Sequence, residues 1–248
     1  MEHNFLKLND DKTEFMVIGN PYQSAKVNVP QIRVGNTHVS PSSSVRNLGV
    51  MFDSALSMED HITNVCKAAY ISIRNIGRIR KYVNTSTAEM MVHAFITSRL
   101  DIGNSLLYGI PKSQLYKLQR IQNIAARIIT YTKPNQHITP VLNDLHWLPV
   151  EQRIVFKLAL FVHKILYSSA PAYLSQLTNV YEPMRKDLRS ANTMLLQEKA
   201  VTNQWGSRSF YVSAAKVWNN LPFAVRSSNK LQSFKTKLKT HLFKTVYN

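Results

Sequence analysis

The sequence predicts an α+β fold, predominantly α-helical, in which a small antiparallel sheet near the start is followed by helices. Three observations carry this. Short apolar runs punctuated by turn residues fill positions 14–52, and apolar residues spaced by three and four take over after residue 58. Across 248 residues, 44% hydrophobic with 18% charged describes a chain that folds. Charge changes where the periodicity does: net zero over residues 1–57, then +6 over 58–130, +3 over 131–190 and +8 over 191–248. The clearest boundary in the chain therefore lies near residue 58.

The strands come first. Glu14-Phe15-Met16-Val17-Ile18-Gly19 is a buried-strand pattern stopped by Asn20-Pro21. Gln31-Ile32-Arg33-Val34, then Gly35-Asn36, then Thr37-His38-Val39 reads as a hairpin. Pro41-Ser42-Ser43-Ser44 is a connector, and residues 45–52 are a further strand. Gly49, between Leu48 and Val50, marks a bulge or a close backbone approach within that strand.

Helices follow. Ser57 with Asp60 opens the first, and Glu59 and Asp60 suit its positive end. Its core stripe is Ile62, Val65, Ala69, Ile73, Ile76, Ile79 and Val83. A second helix covers 86–101 and carries Met90, Ala94, Phe95, Ile96 and Leu100. A third runs from 111 or 112 to 130 through Leu115, Leu118, Ile121, Ile124, Ala125 and Ile128. A fourth opens at Pro149, where proline is tolerated in the first turn, uses Ile154, Leu158, Phe161, Ile165 and Leu166, and ends before Pro171. The pattern weakens over 173–212. A last helix, 230–247, has Leu231, Phe234, Leu238 and Leu242 on one side.

Composition excludes several classes of function. One cysteine, Cys66, rules out a disulfide framework and a cysteine-based zinc site, and fits a reducing compartment. No apolar run approaches 18 residues, so no integral membrane association is expected. The first residues show no basic stretch leading into an apolar one, so the expected location is intracellular, in the nucleus or cytoplasm. Phosphate-loop, dinucleotide, His-Glu-x-x-His and Gly-x-Ser-x-Gly motifs are absent. His137 and His146 are nine apart with no second pair of ligands beside them, so neither a metal nor a cofactor is expected. Asp10-Asp11 sits in a polar stretch and reads as a solvated turn.

A net charge of +17 points to a polyanionic partner, either nucleic acid or an anionic membrane surface. Lys67, Arg74, Arg78 and Lys81 are spaced by 7, 4 and 3, which places them on one side of the first helix, away from its apolar stripe. The strip spans about 20 Å and can follow a phosphate backbone. An ordinary solvated face is the competing reading and the default for a helix; four cations with no anion among them bring the functional reading level with it. Lys230, Lys235, Lys237, Lys239 and Lys244 ring the last helix more widely, which leaves partner or membrane-surface binding open there.

Several strings, in order, resemble one family. Asn4-Phe5-Leu6-Lys7-Leu8-Asn9-Asp10-Asp11-Lys12-Thr13-Glu14 resembles the segment after the catalytic Asp-Asp hairpin in reverse transcriptases of non-LTR (LINE-type) retrotransposons. Val45-Arg46-Asn47-Leu48-Gly49-Val50-Met51-Phe52-Asp53 is similar to their primer grip. Ser98-Arg99-Leu100-Asp101 with Asn104, and Leu118-Gln119-Arg120-Ile121-Gln122-Asn123, resemble the thumb of the jockey and chicken-repeat clades. Leu145-His146-Trp147-Leu148-Pro149-Val150, Trp218-Asn219-Asn220-Leu221-Pro222 and Phe234-Lys235 resemble the C-terminal extension. Ala214-Ala215 departs from the pattern, since relatives tend to have Ala-Pro there.

The resemblance implies a palm remnant with post-catalytic and primer-grip motifs over 1–56, a helical thumb over 57–131 and a mostly helical, basic C-terminal extension over 132–248. It implies a partner as well: the family's thumb holds template and primer, hence an RNA/DNA hybrid or duplex nucleic acid. Leu48, Gly49 and Val50 stand at the primer-grip position. Lys12 matches a lysine that acts as general acid toward the leaving pyrophosphate. In the family the catalytic aspartates precede the segment matched by Leu6 to Glu14, so Asp10-Asp11 is not that pair. Mg²⁺ belongs to the full-length enzyme, and Lys12 has no metal site to work beside. The expected function is therefore a nucleic-acid-binding remnant of an RNA-directed DNA polymerase. The alternatives are an enzyme completed in trans by a separately encoded palm and fingers, a basic helical protein that binds a partner or membrane surface, and an element relic with no selected role.

The 248-residue chain is expected to incorporate no nucleotide on a primed RNA template with Mg²⁺ or Mn²⁺, because nothing in it neutralises the transferring phosphoryl group. Primer extension that disappears on changing Asp10→Ala and Asp11→Ala together would reassign that pair as catalytic.

Overall fold

The computed structural model describes residues 9, 12–20, 22, 26, 30–167, 170–181 and 194–247; Asp10, Asp11 and residues 1–8 lie outside them. The architecture is α+β and mostly helical, with two separate two-stranded antiparallel sheets. The chain divides into two compact units, Met1–Val65 and Cys66–Asn248.

In the first unit, β1 (Ile32–Val34) pairs with β2 (Thr37–Val39) around Gly35-Asn36, in the register Ile32↔Val39. Gly35 takes φ 59°, as a two-residue loop with glycine first requires. Residues 45–52 are not one strand. They form a second hairpin, β3 (Ser44–Asn47) and β4 (Val50–Asp53), with Asn47↔Val50 closing the turn. Leu48 at φ 46° and Gly49 at φ 86° supply the two left-handed residues of a type I′ turn. The glycine therefore serves a chain reversal, not a bulge, and Leu48 at the tip is 96% exposed. Nor is 14–19 a strand. Phe15 makes a single isolated bridge to Pro41, Gly19 N–H donates to Ser54 O, and Ile18 is half exposed, so no ladder forms along the run.

Asp53 ends β4 and starts the helices. Its carboxylate accepts from the N–H groups of Ala55, Ser57 and Met58 (3.2, 2.8 and 2.7 Å), stapling the turn that leads into α1 (Glu59–Ile79). Ser57 only assists, accepting from Glu59 N–H at 3.2 Å. Of the expected stripe, Ile62, Ala69, Ile73 and Ile76 are buried, while Ile79 is exposed where the helix tightens into a 3₁₀ turn, Arg80–Tyr82.

The second unit begins within α1, at Cys66, and contains the other described helices. Asn84 caps α2 (Thr85–Val92) by accepting from Thr87 N–H. The helix passes through a π turn (His93–Thr97) into α3 (Ser98–Asp101). The buried stripe is Ala88, Val92, Ile96 and Leu100, whereas Met90 and Phe95 face solvent. A repeat of four drifts around an ordinary α-helix, and the wider π turn returns it to one face. After a 3₁₀ turn (Asn104–Leu107) come α4 (Lys112–Thr130), the short α5 (Ile138–Asp144) and α6 (Val150–Leu166). Periodicity does not reveal α5, which is seven residues long and buries only Leu142. Beyond α7 (Ala172–Ser175), the weakly patterned region contains α8 (Gln204–Arg208) and α9 (Phe210–Asn219), followed by α10 (Phe223–Arg226) and α11 (Leu231–Tyr247).

α6 is the hub: α4, α9, α11 and the 104–107 turn all pack on it. An aromatic stack joins three of these elements. Trp218 of α9 lies 5.7 Å from Phe234 of α11, which stacks at 4.3 Å on His163 of α6, itself 4.5 Å from Tyr167. Trp218 Nε1 donates to Met194 O at 2.7 Å. Asn219 holds the neighbouring chain through Leu196 N–H and O, so the Trp-Asn-Asn-Leu-Pro string has a structural task. At the far end of α11, Tyr247 donates its hydroxyl to Trp147 O at 2.7 Å, and burial pushes its pKa up to about 12.

His163 is buried in this stack with Nε2 against Ser228 O at 2.8 Å, which makes Nε2 the protonated nitrogen. Burial lowers its pKa below the ordinary 6.5. The unfolded chain thus takes the proton first, and the stabilisation present above about pH 6.5 is lost as pH falls. The melting temperature is expected to drop between about pH 6.5 and 5, and His163→Gln to flatten that part of the profile relative to the parent. Parallel profiles would show that another group sets the acid limb.

Candidate nucleic-acid interface

Each cation expected along the first helix has a definite place. Lys67, Arg74 and Arg78 are exposed on α1, within a narrow arc opposite Ile62, Ala69, Ile73 and Ile76. They span about 16 Å along the axis. Among the described residues none of the three has a hydrogen-bond or ion-pair partner. From residue 61 to 88 there is no Asp or Glu, so no carboxylate on this stretch offsets them. Ile71, 61% exposed, and Tyr70 stand between the cations.

Lys81 departs from the expected strip. It lies past the end of α1, in the 3₁₀ turn, where its ammonium sits 4.8 Å from the centre of the Tyr82 ring. The tighter turn breaks the 3.6-residue phase that would have kept it in line. It is exposed, but it belongs to the end of the strip and not to its face.

Sequence periodicity does not single out Arg80, the one arginine of this stretch that turns inward. It is 5% exposed. Nε donates to Ile128 O at 3.0 Å, Nη1 to Val83 O at 2.8 Å, and Nη2 to Ile129 O at 2.6 Å and Thr85 Oγ1 at 3.2 Å. Two of these acceptors are carbonyls of the last turn of α4, where a positive charge is favoured. The Tyr131 ring covers the guanidinium at 4.2 Å, and its hydroxyl donates back to Arg80 O at 3.1 Å. Arg80 thereby fastens the end of α1 to the end of α4. It holds the exposed cations in place without belonging to their face.

α4 adds a second exposed set that the sequence reading passed over: Lys112, Tyr116 and Arg120, at i, i+4 and i+8, with Lys117 beside them. That spacing is the signal that finds them. Burial pushes the Cys66 thiol up, and the Lys117 ammonium opposes this more weakly, so Cys66 is a packed thiol and not an activated one.

The cations of α11 do not make one strip. Lys237 Nζ donates to Ala224 O at 3.1 Å, Lys239 lines a cleft, and Lys235 and Lys244 lie apart. Lys12, Leu48, Gly49 and Val50 belong to the first unit. Lys12 is exposed in a turn closed by its own N–H donating to Asn9, Gly49 forms the hairpin turn, and Val50 is buried. His146 packs edge-on against Phe243, and His137 precedes α5. Asp10 and Asp11 lie outside the described residues. Comparison with models of known families, with curated proteins and with solved structures finds no match for this chain.

Replacing Arg80 should separate its task from that of its neighbours. Arg80→Met leaves buried carbonyls without a donor and is expected to cost about 2–3 kcal/mol, read as a lower urea midpoint at unchanged slope. Arg78→Met should cost less than about 0.5 kcal/mol. Equal losses would place both arginines on the surface.

Proposed function

We propose that this chain binds nucleic acid, gripping an RNA/DNA hybrid or duplex with the exposed face of α1, as the thumb and C-terminal extension of a LINE-type reverse transcriptase would. The observation that carries the reading is the set Lys67, Arg74 and Arg78: free of partners among the described residues, facing solvent, and backed by an uninterrupted apolar side. A rigid helix that presents guanidinium and ammonium groups along about 16 Å can follow a phosphate backbone, contacting some of the phosphates it passes. The reading also accounts for the excess of +17, which raises the local concentration of any polyanion. The family assignment within it rests on the motif strings and their order.

A second reading has one observation behind it. Ile71, exposed among the cations, suits an anionic lipid surface, where a basic face with an apolar residue inserts shallowly. No helix among the described residues is long and apolar enough to cross a membrane, so such contact would be peripheral.

The test is binding to a fluorescent hybrid and to a duplex across a salt series. Lys67→Gln, Arg74→Gln and Arg78→Gln together should weaken binding at low salt and flatten the slope of log K against log [salt] by roughly three units, at about 0.9 per phosphate contact. Lys235→Gln, Lys239→Gln and Lys244→Gln together remove the same three charges as a matched control and should leave most of the slope intact. A thumb-helix variant with the parental slope would discard the α1 face. Loss of binding to phosphatidylserine vesicles, with nucleic-acid binding unchanged, would favour the membrane reading.

A further inference from the structure

Helices α1 and α2 follow one another in the chain and leave a groove of about 220 Å³ between them. Ser72, Asn75, Ile76 and Ile79 of α1 line one wall, and Met91 and Phe95 line the other. Four of these six side chains are hydrocarbon or thioether, and the Ser72 hydroxyl is turned back on Ala68 O at 3.3 Å. The walls thus have little with which to hold a phosphate or a sugar. They are nevertheless open to water: Phe95 is 52% and Ile79 39% exposed. Cations border the groove. Around α1, Arg74 and Arg78 come first, then Ile71 and Asn75, then Ile79 and Ser72, so the exposed cation arc runs into the α1 wall. At the other wall, exposed Arg99 follows Phe95 by one turn and donates Nε to Phe95 O at 3.1 Å. None of these three arginines has an ion-pair partner among the described residues. The two carboxylates of α2 and α3 do not serve them. Glu89 and Asp101 line a separate cleft between α3, the 145–148 loop, α6 and α11, where Glu89 pairs with His93 and Asp101 with Arg153.

We propose that the groove takes an amphipathic helix from an acidic partner protein, its apolar side chains set between Ile79 and Phe95 and its carboxylates on Arg74, Arg78 and Arg99. The α1 positions that line the groove, 72 to 79, span about 10 Å, which admits apolar residues at i, i+4 and i+7 of an incoming helix. A nucleic-acid strand would engage the cations and leave the apolar walls bare. A lipid surface is entered by apolar groups that project, whereas these line a recess. A second copy of this chain brings the same excess of +17 and is repelled. The inference goes beyond the nucleic-acid reading and stands on other residues, Ile79, Met91 and Phe95, although Arg74 and Arg78 border both surfaces.

The experiment is fluorescence anisotropy of a labelled peptide of about 18 residues, long enough to populate a helix, with Leu at i, i+4 and i+7 and Glu on either side of them. Titration with the full chain is expected to give a Kd below about 0.1 mM. Ile79→Ser with Phe95→Ser should weaken the peptide at least about tenfold and leave hybrid binding at parental strength, since no charge changes. Arg99→Gln should weaken the peptide about threefold. Serine in place of the peptide's leucines, or lysine in place of its glutamates, should abolish binding without touching the fold of the chain. A peptide still free at about 0.5 mM chain would overturn the proposal. So would a leucine-free acidic peptide that binds as tightly as the original, which would reduce the effect to general charge attraction. Loss of phosphatidylserine-vesicle binding in the Ile79/Phe95 variant, with peptide binding unchanged, would assign the recess to lipid instead. A peptide that binds where the hybrid does not would discard the nucleic-acid reading and keep this one; the reverse would discard this one alone.

Discussion

Helix α6 is the constraint on which the second unit depends. Seventeen residues long, it buries Ile154, Leu158, Ala159, Val162 and Ile165 on more than one side, so α4, α9 and α11 must all be present to cover it. Alone, a helix of that length is marginal in water. Its first turn is equally dependent. Val150 N–H, an orphan donor at a helix start, is met by Gln119 Oε1 at 2.9 Å, and Gln122 donates to Leu148 O at 2.9 Å one step earlier. Arg153 pairs with Asp101. α6 therefore starts where it does because α3 and α4 supply polar side chains at that point. The same polar junction, half satisfied internally, leaves Asn104 and Trp147 with a free acceptor and a free donor.

Two arginines two residues apart show how the fold assigns charge. Arg78 closes α1 and stays in water, where its charge acts on whatever approaches. Arg80 is drawn under Tyr131 and spends four donor contacts on backbone carbonyls and one hydroxyl. The planar guanidinium makes this possible, since its donors fan out in fixed directions that an ammonium does not match. Without the inner arginine side chain, the Tyr131 hydroxyl on Arg80 O is the polar tie left between the α1 and α4 ends, and the outer cations lose much of their rigid backing. Binding at the α1 face would draw on the exposed, electrostatic part of this framework.

Much of the helical layout was legible from spacing. α1, α4, α6 and α11 have apolar residues at three and four over many turns, and their limits agree closely with the reading. The 32–39 hairpin was legible because Gly35-Asn36 is a strong turn signal. Elsewhere the signal was absent or ambiguous. α5, α8 and α10 are too short for any period to show. Leu48-Gly49 hid a turn because a leucine in the left-handed region is uncommon and reads as strand. In Glu14 to Gly19 an apolar run mimicked a strand that has no partner to pair with.

The sequence by itself determined the charge and its distribution, the lone thiol, the long helices and the cation spacing on α1, because each depends on composition or on contacts a few residues apart. Tertiary structure alone decided which of these residues face water. Arg78 and Arg80, or Leu118 and Gln122, cannot be sorted by local pattern, since what buries Arg80 is a pair of carbonyls 48 and 49 residues away and what buries Gln122 is a loop 26 residues away. The cleft belongs wholly to that second category. Trp147 and Asn104 lie 43 positions apart in the chain, and only the docking of α6 between α4 and α11 brings the two residues to one cleft.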